Sequence, residues 1–449
     1  MKEAFITKKG SLDMSLYVAF IIFIISMIVA IVTGHSMVIA LFIGLVCFLI
    51  VGKKQGFSLK SMIQMSVDAN KSSLVVIKVM LIIGVLTAVW RVSGTITVFV
   101  YYGMKIILPP IFLIVTFLLC CLLSYAIGTS FGVAGTVGVI FMALARSGGV
   151  DPLITAGVVM SGVYFGDRCS PVSSSANMVA GVTNTQIYDN VKIMMKTGAL
   201  PLVISLGVYI VLSVLNPISS VDQGMITTFE NQFNISSWSF LPAIIVIGLP
   251  LLKIGVVKAM TASIISAIII AWLVQGVDII SVIEICIFGY EVEESGLGAI
   301  LNGGGLVSML EIVVILIISS SYSGIFSGTN MLDSLQEKLG KACGKLGRFA
   351  VMIFMSIAMS CIFCNQTIGT LMCADLMKKP YIDGGGNNTE LAIDLENSVI
   401  LIACFIPWSI GCSVPLLMLG VDFRALPFAV FMYLVPLCYL LTKKKWFKN

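Results

Sequence analysis

The sequence predicts an all-α integral membrane protein of two inverted-topology repeats, with broken and re-entrant helices and about 10–12 spanning segments. Three observations predict it. Of the 449 residues, 58% are hydrophobic and only 11% charged, and the mean hydropathy is +1.07. A soluble chain carries about 25% charged residues, so this one cannot cover a water-facing surface of its size. Charge-free apolar runs recur at bilayer length, and the segments between them divide into basic and acidic sets. Nucleic-acid binding, a secreted disulfide scaffold and disorder are excluded at this point.

Met14–Thr33 is a charge-free run of 20 residues, about 30 Å as a helix. It is too long for a signal-peptide core, and no small-residue cleavage site follows. Met37–Gly52 returns across the membrane. The next stretch is polar and basic, with a weak amphipathic pattern over Phe57–Ser73. Ile106–Ala145 runs for 40 residues without a charge. As one helix it would reach about 60 Å, twice the hydrocarbon core. It must break, and Gly128-Thr129-Ser130, followed by Gly132, Gly135 and Gly138, marks the place. Gly166–Asn177 is mostly polar. Phe349–Ala374 is interrupted by Asn365-Gln366-Thr367, and Asn397–Val421 by Pro407 and Pro415.

Lys and Arg set the orientation. Lys2, Lys8 and Lys9, then Lys53, Lys54, Lys60 and Lys71, then Lys253 and Lys258, are placed in the cytoplasm. So are Lys338, Lys341, Lys345 and Arg348, and the tail Lys443, Lys444, Lys445 and Lys448. Asn216–Ser239, with Asp222 and Glu230, lacks Lys and Arg. So does Gly276–Gly305, with Asp278, Glu284, Glu291, Glu293 and Glu294. Both are placed outside. Residues 1–73 then form a tail and a two-helix hairpin. Residues 74–215 and 306–449 cross an odd number of times in opposite senses, as two transport halves. Residues 216–305 hold two external loops around a hairpin. Three echoes follow the same order: Ser93-Gly94-Thr95 with Ser327-Gly328-Thr329, Ile127-Gly128-Thr129 with Ile368-Gly369-Thr370, and Pro171 with Pro407.

A broken helix frees carbonyls on one side and N–H groups on the other, which is tolerated at membrane depth only in a protein interior or a wet cavity. Such breaks, with hydroxyls and amides, suit a small hard cation such as Na⁺. The candidate ion- or substrate-binding residues are Thr129, Ser170, Ser173, Ser174, Ser175, Asn177, Asn365, Gln366, Thr367, Thr370 and Pro407. The competing reading is a small-residue face for close helix packing. A carboxylate in an apolar run needs a partner or a role. Asp167, Asp375 and Glu396 are therefore candidates for proton or charge coupling, and Asp167 with Arg168 is a candidate local pair. His35 is the only histidine and lies far from any cluster, so hydrolytic and zinc chemistry are disfavoured. The twelve cysteines, such as Cys120, Cys121 and Cys404, sit in apolar runs and read as small hydrophobes. Cys361 and Cys364 have metal-ligand spacing but no second pair. No cofactor is expected beyond transported Na⁺ and H⁺.

Gly128–Gly138, the run Tyr164-Phe165-Gly166-Asp167-Arg168-Cys169-Ser170-Pro171-Val172-Ser173, and Leu395-Glu396-Asn397-Ser398 leading to Ile406-Pro407-Trp408 resemble signatures of NhaC-type Na⁺/H⁺ antiporters. The resemblance covers roughly residues 15–440. It implies a bacterial or archaeal inner-membrane carrier within the larger ion-transporter superfamily, in whose related folds Na⁺ lies near Ser, Asn and Thr of broken helices. This chain departs at one position: where the family usually reads Ser-Asp-Thr-Thr-Asn, it has Ser173-Ser174-Ser175-Ala176-Asn177. The expectation is Na⁺/H⁺ exchange by alternating access, with Asp167 foremost in coupling. The alternative is a cation-coupled carrier or exchanger of a small organic carboxylate or amino acid. The partners are the bilayer, Na⁺, H⁺ and that organic solute, not nucleic acid. Both termini are expected in the cytoplasm, and a homodimer is compatible with the sequence.

Overall fold

In a computed structural model, residues 2–106, 109–217, 223–292, 298, 300–329, 331 and 333–447 are described. The predicted external acids Asp222, Glu293 and Glu294, and Lys448 of the basic tail, lie outside them. The described residues are helical throughout, apart from turns and one isolated bridge, Tyr290 with Gly303. The helices are α1 (Lys2–Thr33), α2 (Met37–Lys54), α3 (Leu59–Val92), α4 (Thr95–Ile106), α5 (Phe112–Ile127) and α6 (Ser130–Ser147, with a π turn at Ala134–Gly138). Then come α7 (Pro152–Cys169), α8 (Ser174–Thr183), α9 (Ile187–Leu215), α10 (Gln223–Gln232), α11 (Leu241–Leu251), α12 (Val256–Leu273) and α13 (Ile279–Phe288). The last group is α14 (Leu310–Thr329), α15 (Asp333–Leu346), α16 (Arg348–Phe363), α17 (Gln366–Asp383), α18 (Asn388–Glu396), α19 (Val399–Ile402), α20 (Ile410–Leu419) and α21 (Val430–Trp446).

Among the described residues, five helices are long and apolar enough to cross a membrane, or seven if the two bent pairs each count as one. That is fewer than the expected figure. The difference lies in apolar helices of 10–17 residues, among them Phe112–Ile127 and Arg348–Phe363. These are cut short by breaks in the backbone. The polar stretch Leu59–Lys71 is helical and meets Val76–Val92 at 52°.

The breaks fall where the residues demand them. α5 ends at Gly128, in the left-handed conformation at φ +74°, and Thr129 is extended and caps α6. α16 ends at Cys364, left-handed at φ +53°, and Asn365 is extended and caps α17. Pro171 follows α7 and blocks its continuation, and Ser173 caps α8. Pro407 lies in the 55° bend before α20.

Pro415 does not break the chain as expected but sits inside α20. Its missing N–H leaves the Gly411 carbonyl without its helical donor. The Tyr164 hydroxyl, from α7, donates to that carbonyl instead.

The helix bounds recur in a fixed register. Adding 236 to the numbers of α5, α6 and α8 gives the bounds of α16, α17 and α20, residue for residue. The same shift carries Pro152–Cys169 onto the bent unit Asn388–Phe405. It also pairs the left-handed residues Gly128 with Cys364, Gly149 with Gly385 and Asn184 with Gly420. Two of the three tripeptide echoes miss this register. Gly94 is a left-handed turn residue, but Gly328 lies inside α14, and Gly369-Thr370 lies within α17. Pro171 and Pro407 fit it.

The core is apolar and close-packed. Phe20, Phe23 and Phe48 pack edge-on or stacked with Tyr322 and Phe326, joining α1 and α2 to α14. α7 is buried from Ile154 to Cys169. A Cβ at Gly166 would stand 2.1 Å from the Ser124 backbone carbon, so only glycine permits this approach of α5 and α7.

Candidate functional site

The polar end of α7 builds the site. Ser170 stops the helix; its Oγ donates to the Tyr125 carbonyl at 2.6 Å and accepts from the Val172 N–H at 3.2 Å. Asn177 Nδ2 donates to the carbonyls of Pro171 and Ser173, at 2.9 and 2.7 Å, which closes the proline turn. The Gly128 break lies against this turn, since a Cβ there would meet the Val172 carbonyl at 2.6 Å. The two breaks of the first half therefore touch. In the second half, the Ile410 N–H donates to the Cys364 carbonyl at 2.8 Å, and Trp408 Nε1 to the Cys361 carbonyl at 3.0 Å.

Asp167 is buried where these breaks converge. Its Oδ1 accepts from Ser175 Oγ at 3.0 Å and from Ser173 Oγ at 3.2 Å, and Ser173 also donates to the Asp167 carbonyl at 2.6 Å. Its Oδ2 accepts from Gln366 Nε2 at 3.3 Å, and the same NH₂ group donates to the Ile400 carbonyl at 2.7 Å. Neutral donors from both halves of the chain thus surround one carboxylate. Hydroxyl and carboxylate oxygens at this spacing are hard ligands of the kind a small cation takes.

Asp167 and Arg168 do not pair. Adjacent residues of a helix point in different directions. Arg168 is fully buried and turns to the other side. Its Nε and Nη2 donate to Asn397 Oδ1 at 3.0 and 2.5 Å, and Nη2 also reaches the Met194 carbonyl at 3.0 Å and Thr197 Oγ1 at 2.9 Å. Glu396 is fully buried beside it, and the charges acting on it are those of Arg168 and Asp167. Among the described residues, both Glu396 oxygens, Arg168 Nη1 and Asn397 Nδ2 have no hydrogen-bond partner.

The remaining sequence candidates divide. Thr129 and Asn365 spend their side-chain oxygens on capping, to Gly132 N at 3.3 Å and to Thr367 N at 2.9 Å. Thr370 Oγ1 donates to the Gln366 carbonyl at 2.7 Å. Ser174 and Thr367 are exposed, and Asp375 lies on the exposed side of α17, about 13 Å along the axis from Gln366. Ser174, at the position of the missing acid, is exposed, while its neighbours Ser173 and Ser175 bond Asp167.

One cluster was not legible beforehand. Glu390 and Asp394 on α18 are buried, and Lys443 of α21 bridges them, at 2.7 Å to Glu390. Arg348, at the start of α16, pairs with Glu390 at 3.1 Å. The hydroxyls of Tyr381 and Tyr439 donate to Asp394, the latter at 2.8 Å. Arg348 and Lys443 had been read only as markers of orientation. Helical spacing of Glu390, Asp394 and Asn397 on one face was the available signal.

The sequence matches the Na⁺/H⁺ antiporter family over residues 5–175 and 162–442. It is 28% identical over 382 residues to the Na(+)/H(+) antiporter NhaC of Alkalihalophilus pseudofirmus, covering 84% of this chain and 83% of that protein. It is 26% identical over 398 residues to the malate-2H(+)/Na(+)-lactate antiporter of Bacillus subtilis, covering 87% and 85%. It is 26% identical over 351 residues to the arginine/ornithine antiporter ArcD of Halobacterium salinarum, covering 74% and 70%. An apolar helical chain with several membrane-length spans, broken helices and a family match along nearly its whole length is a multi-pass membrane transporter and not an enzyme: the protein belongs to the Na⁺/H⁺ antiporter family.

Proposed function

We propose that the protein exchanges Na⁺ for H⁺ by alternating access, with the cation held at Asp167 by Ser173, Ser175 and the Gln366 side of the site. The observation that carries this is a charge count. The buried group holds one guanidinium, Arg168, and two carboxyls, Asp167 and Glu396. With both carboxyls ionised it is one positive charge short of neutral. An unbalanced charge at membrane depth costs several kcal/mol, so the group takes up one monovalent cation. Na⁺ and H⁺ compete for that vacancy, which is what exchange requires. With H⁺ bound, the proton resides on Glu396, whose oxygens have no donor. With Na⁺ bound, the cation resides at Asp167, whose hydroxyl partners can turn their oxygens toward it.

The recurrence of helix bounds at a shift of 236 supports two repeats, and the charge pattern of the loops supports their opposite orientation. That orientation puts both termini in the cytoplasm of a bacterial or archaeal cell. Each repeat brings one αL break and one proline break to the same centre. Asp167 has Ala403 as its counterpart and Glu396 has Met160, so each half supplies one acid and neither acid is repeated.

A second reading is favoured by one observation. Arg168 Nη1 and Asn397 Nδ2 are buried donors without partners, and they would suit the carboxylate of a small organic acid or amino acid carried with or against the cation. Two relatives bear names of that kind.

Proteoliposomes with a pH-sensitive dye in the lumen separate the two. A Na⁺ gradient that alone drives a pH change supports Na⁺/H⁺ exchange. No change with Na⁺ alone, but a change once an organic acid or amino acid is added, overturns it in favour of the second reading.

A further inference from the structure

The quartet of Arg348, Glu390, Lys443 and Asp394 lies outside the candidate ion site, yet it is the largest buried ionic group among the described residues. Two cations and two carboxylates balance to zero. Glu390 and Asp394 are 2% and 0% exposed, and the Lys443 side chain is 14% exposed. Lys443 joins the chain's last helix to α18, and Arg348 joins α16 to it, also donating to the Gly384 carbonyl at 2.5 Å. A cleft of about 340 Å³ opens directly above, lined by Arg348, Glu390, Lys443, Cys343 and Phe447.

A buried ion pair rarely contributes more stability than apolar packing of the same volume. This chain demonstrates the alternative within itself. At the shift of 236, Glu390 corresponds to Ile154, Asp394 to Val158, Arg348 to Phe112 and Lys443 to Gly207. The helical units that hold Glu390, Asp394 and Arg348 have the same bounds in the first half with none of those three charges, whereas α21, which holds Lys443, does not share the bounds of α9. That part of the frame therefore forms without the three charges.

What the quartet adds is a closure that can open. Apolar packing resists separation because it exposes oil to water. Ion pairs separate at low cost once water enters, since each charge is then solvated. The quartet also touches the helix that matters: Ser398 Oγ donates to the Asp394 carbonyl at 2.5 Å, one residue past Asn397, the acceptor of Arg168.

We propose that the quartet is a gate on this side of the carrier, with Lys443 and Arg348 as positioning residues that hold α18 closed in the state described and release it once per transport cycle. The proposal rests on the alternating-access reading above but not on the identity of the cargo.

The test reads the gate without transport. Cys343 lines the cleft and is 8% exposed. Its labelling by a membrane-impermeant maleimide is followed in nanodiscs, with Cys343→Ser as the blank. Lys443→Met would leave two buried carboxylates with one cation, which is strongly destabilising; Asp394→Asn/Lys443→Met keeps the quartet neutral and leaves the Arg348–Glu390 pair intact. The double variant is expected to label about tenfold faster than wild type, as the open state gains population. Lys443→Arg is expected to stay within about twofold of wild type. Labelling of the double variant at the wild-type rate overturns the gate. Absence of Na⁺-driven H⁺ flux in wild type, with the labelling difference intact, overturns the cargo and leaves the gate standing.

Discussion

Gln366 reaches Asp167 across 199 residues of sequence, its Nε2 standing 3.3 Å from Oδ2. A single amide thus ties the start of α17 to the end of α7, and the only side chain of the second half that bonds this carboxylate, among the described residues, comes from the first residue after a helix break. The carboxylate is held from both sides of the molecule, so its removal and its replacement test the site directly.

Asp167→Asn keeps one acceptor oxygen for the serines, sets an NH₂ group against Gln366 Nε2, and loses the charge. Cation-coupled H⁺ flux in proteoliposomes is expected to vanish. Thermal stability in detergent is expected to fall by no more than about 1–3 kcal/mol, because the serines keep an acceptor while Gln366 Nε2 loses one of its two. Wild-type flux from this variant would remove Asp167 from the mechanism.

The departure at Ser174 can be tested beside it. Ser174 is exposed, whereas Ser173 and Ser175 are the serines that bond Asp167. Asp167→Asn/Ser174→Asp is therefore expected to remain inactive in the same flux assay. Recovery of transport would mean that an acid at 174 reaches the site.

Tyr164 and Pro415 are predicted to be coupled. Tyr164→Phe leaves the Gly411 carbonyl with neither a hydroxyl nor a helical N–H, at a cost of about 1–3 kcal/mol. Adding Pro415→Ala restores a backbone N–H four residues on, and the double variant is expected to regain most of the loss. A double-mutant cycle of melting temperatures in one detergent checks this. Additive effects would show that Tyr164 acts elsewhere.

Two glycines are expected to behave oppositely. Gly166→Ala drives a Cβ into the Ser124 backbone at 2.1 Å, and a strained fit between α5 and α7 is expected to cost about 1–3 kcal/mol or more. Gly207, inside α9, has nothing within 4 Å of its missing Cβ. Gly207→Ala is expected to be neutral or stabilising by up to about 1 kcal/mol. Fluorescence-detected size exclusion after graded heating distinguishes them.

Much of the candidate site was legible because its residues break rules that membranes enforce. A polar turn with a proline after an apolar helix, or an Asn-Gln-Thr inside one, has few uses at that depth, and Asp167, Ser173, Ser175 and Gln366 were found in this way. The register of the two halves was less legible. Gly128-Thr129 and Cys364-Asn365 share a conformation and no residue, so matching tripeptides pointed to Gly369-Thr370 instead. Backbone geometry is held by the left-handed angle and the capping oxygen, and several residue types supply each. Pro415 misled for a related reason: its effect depended on Tyr164, 251 positions away. The quartet was hidden because Arg348 and Lys443 stand among other basic residues, and burial, not type, separates them.

The exchange proposed at Asp167, Glu396 and Arg168 would move one positive charge in each direction. A group that is completed by one positive charge, whichever cation supplies it, presents the same net charge to the bilayer on the outward and the return stroke. Voltage then does no net work over the cycle, although each charge carried alone across 100 mV would be worth about 2.3 kcal/mol. Such an exchanger is blind to membrane potential, and its direction follows from the two concentration ratios alone.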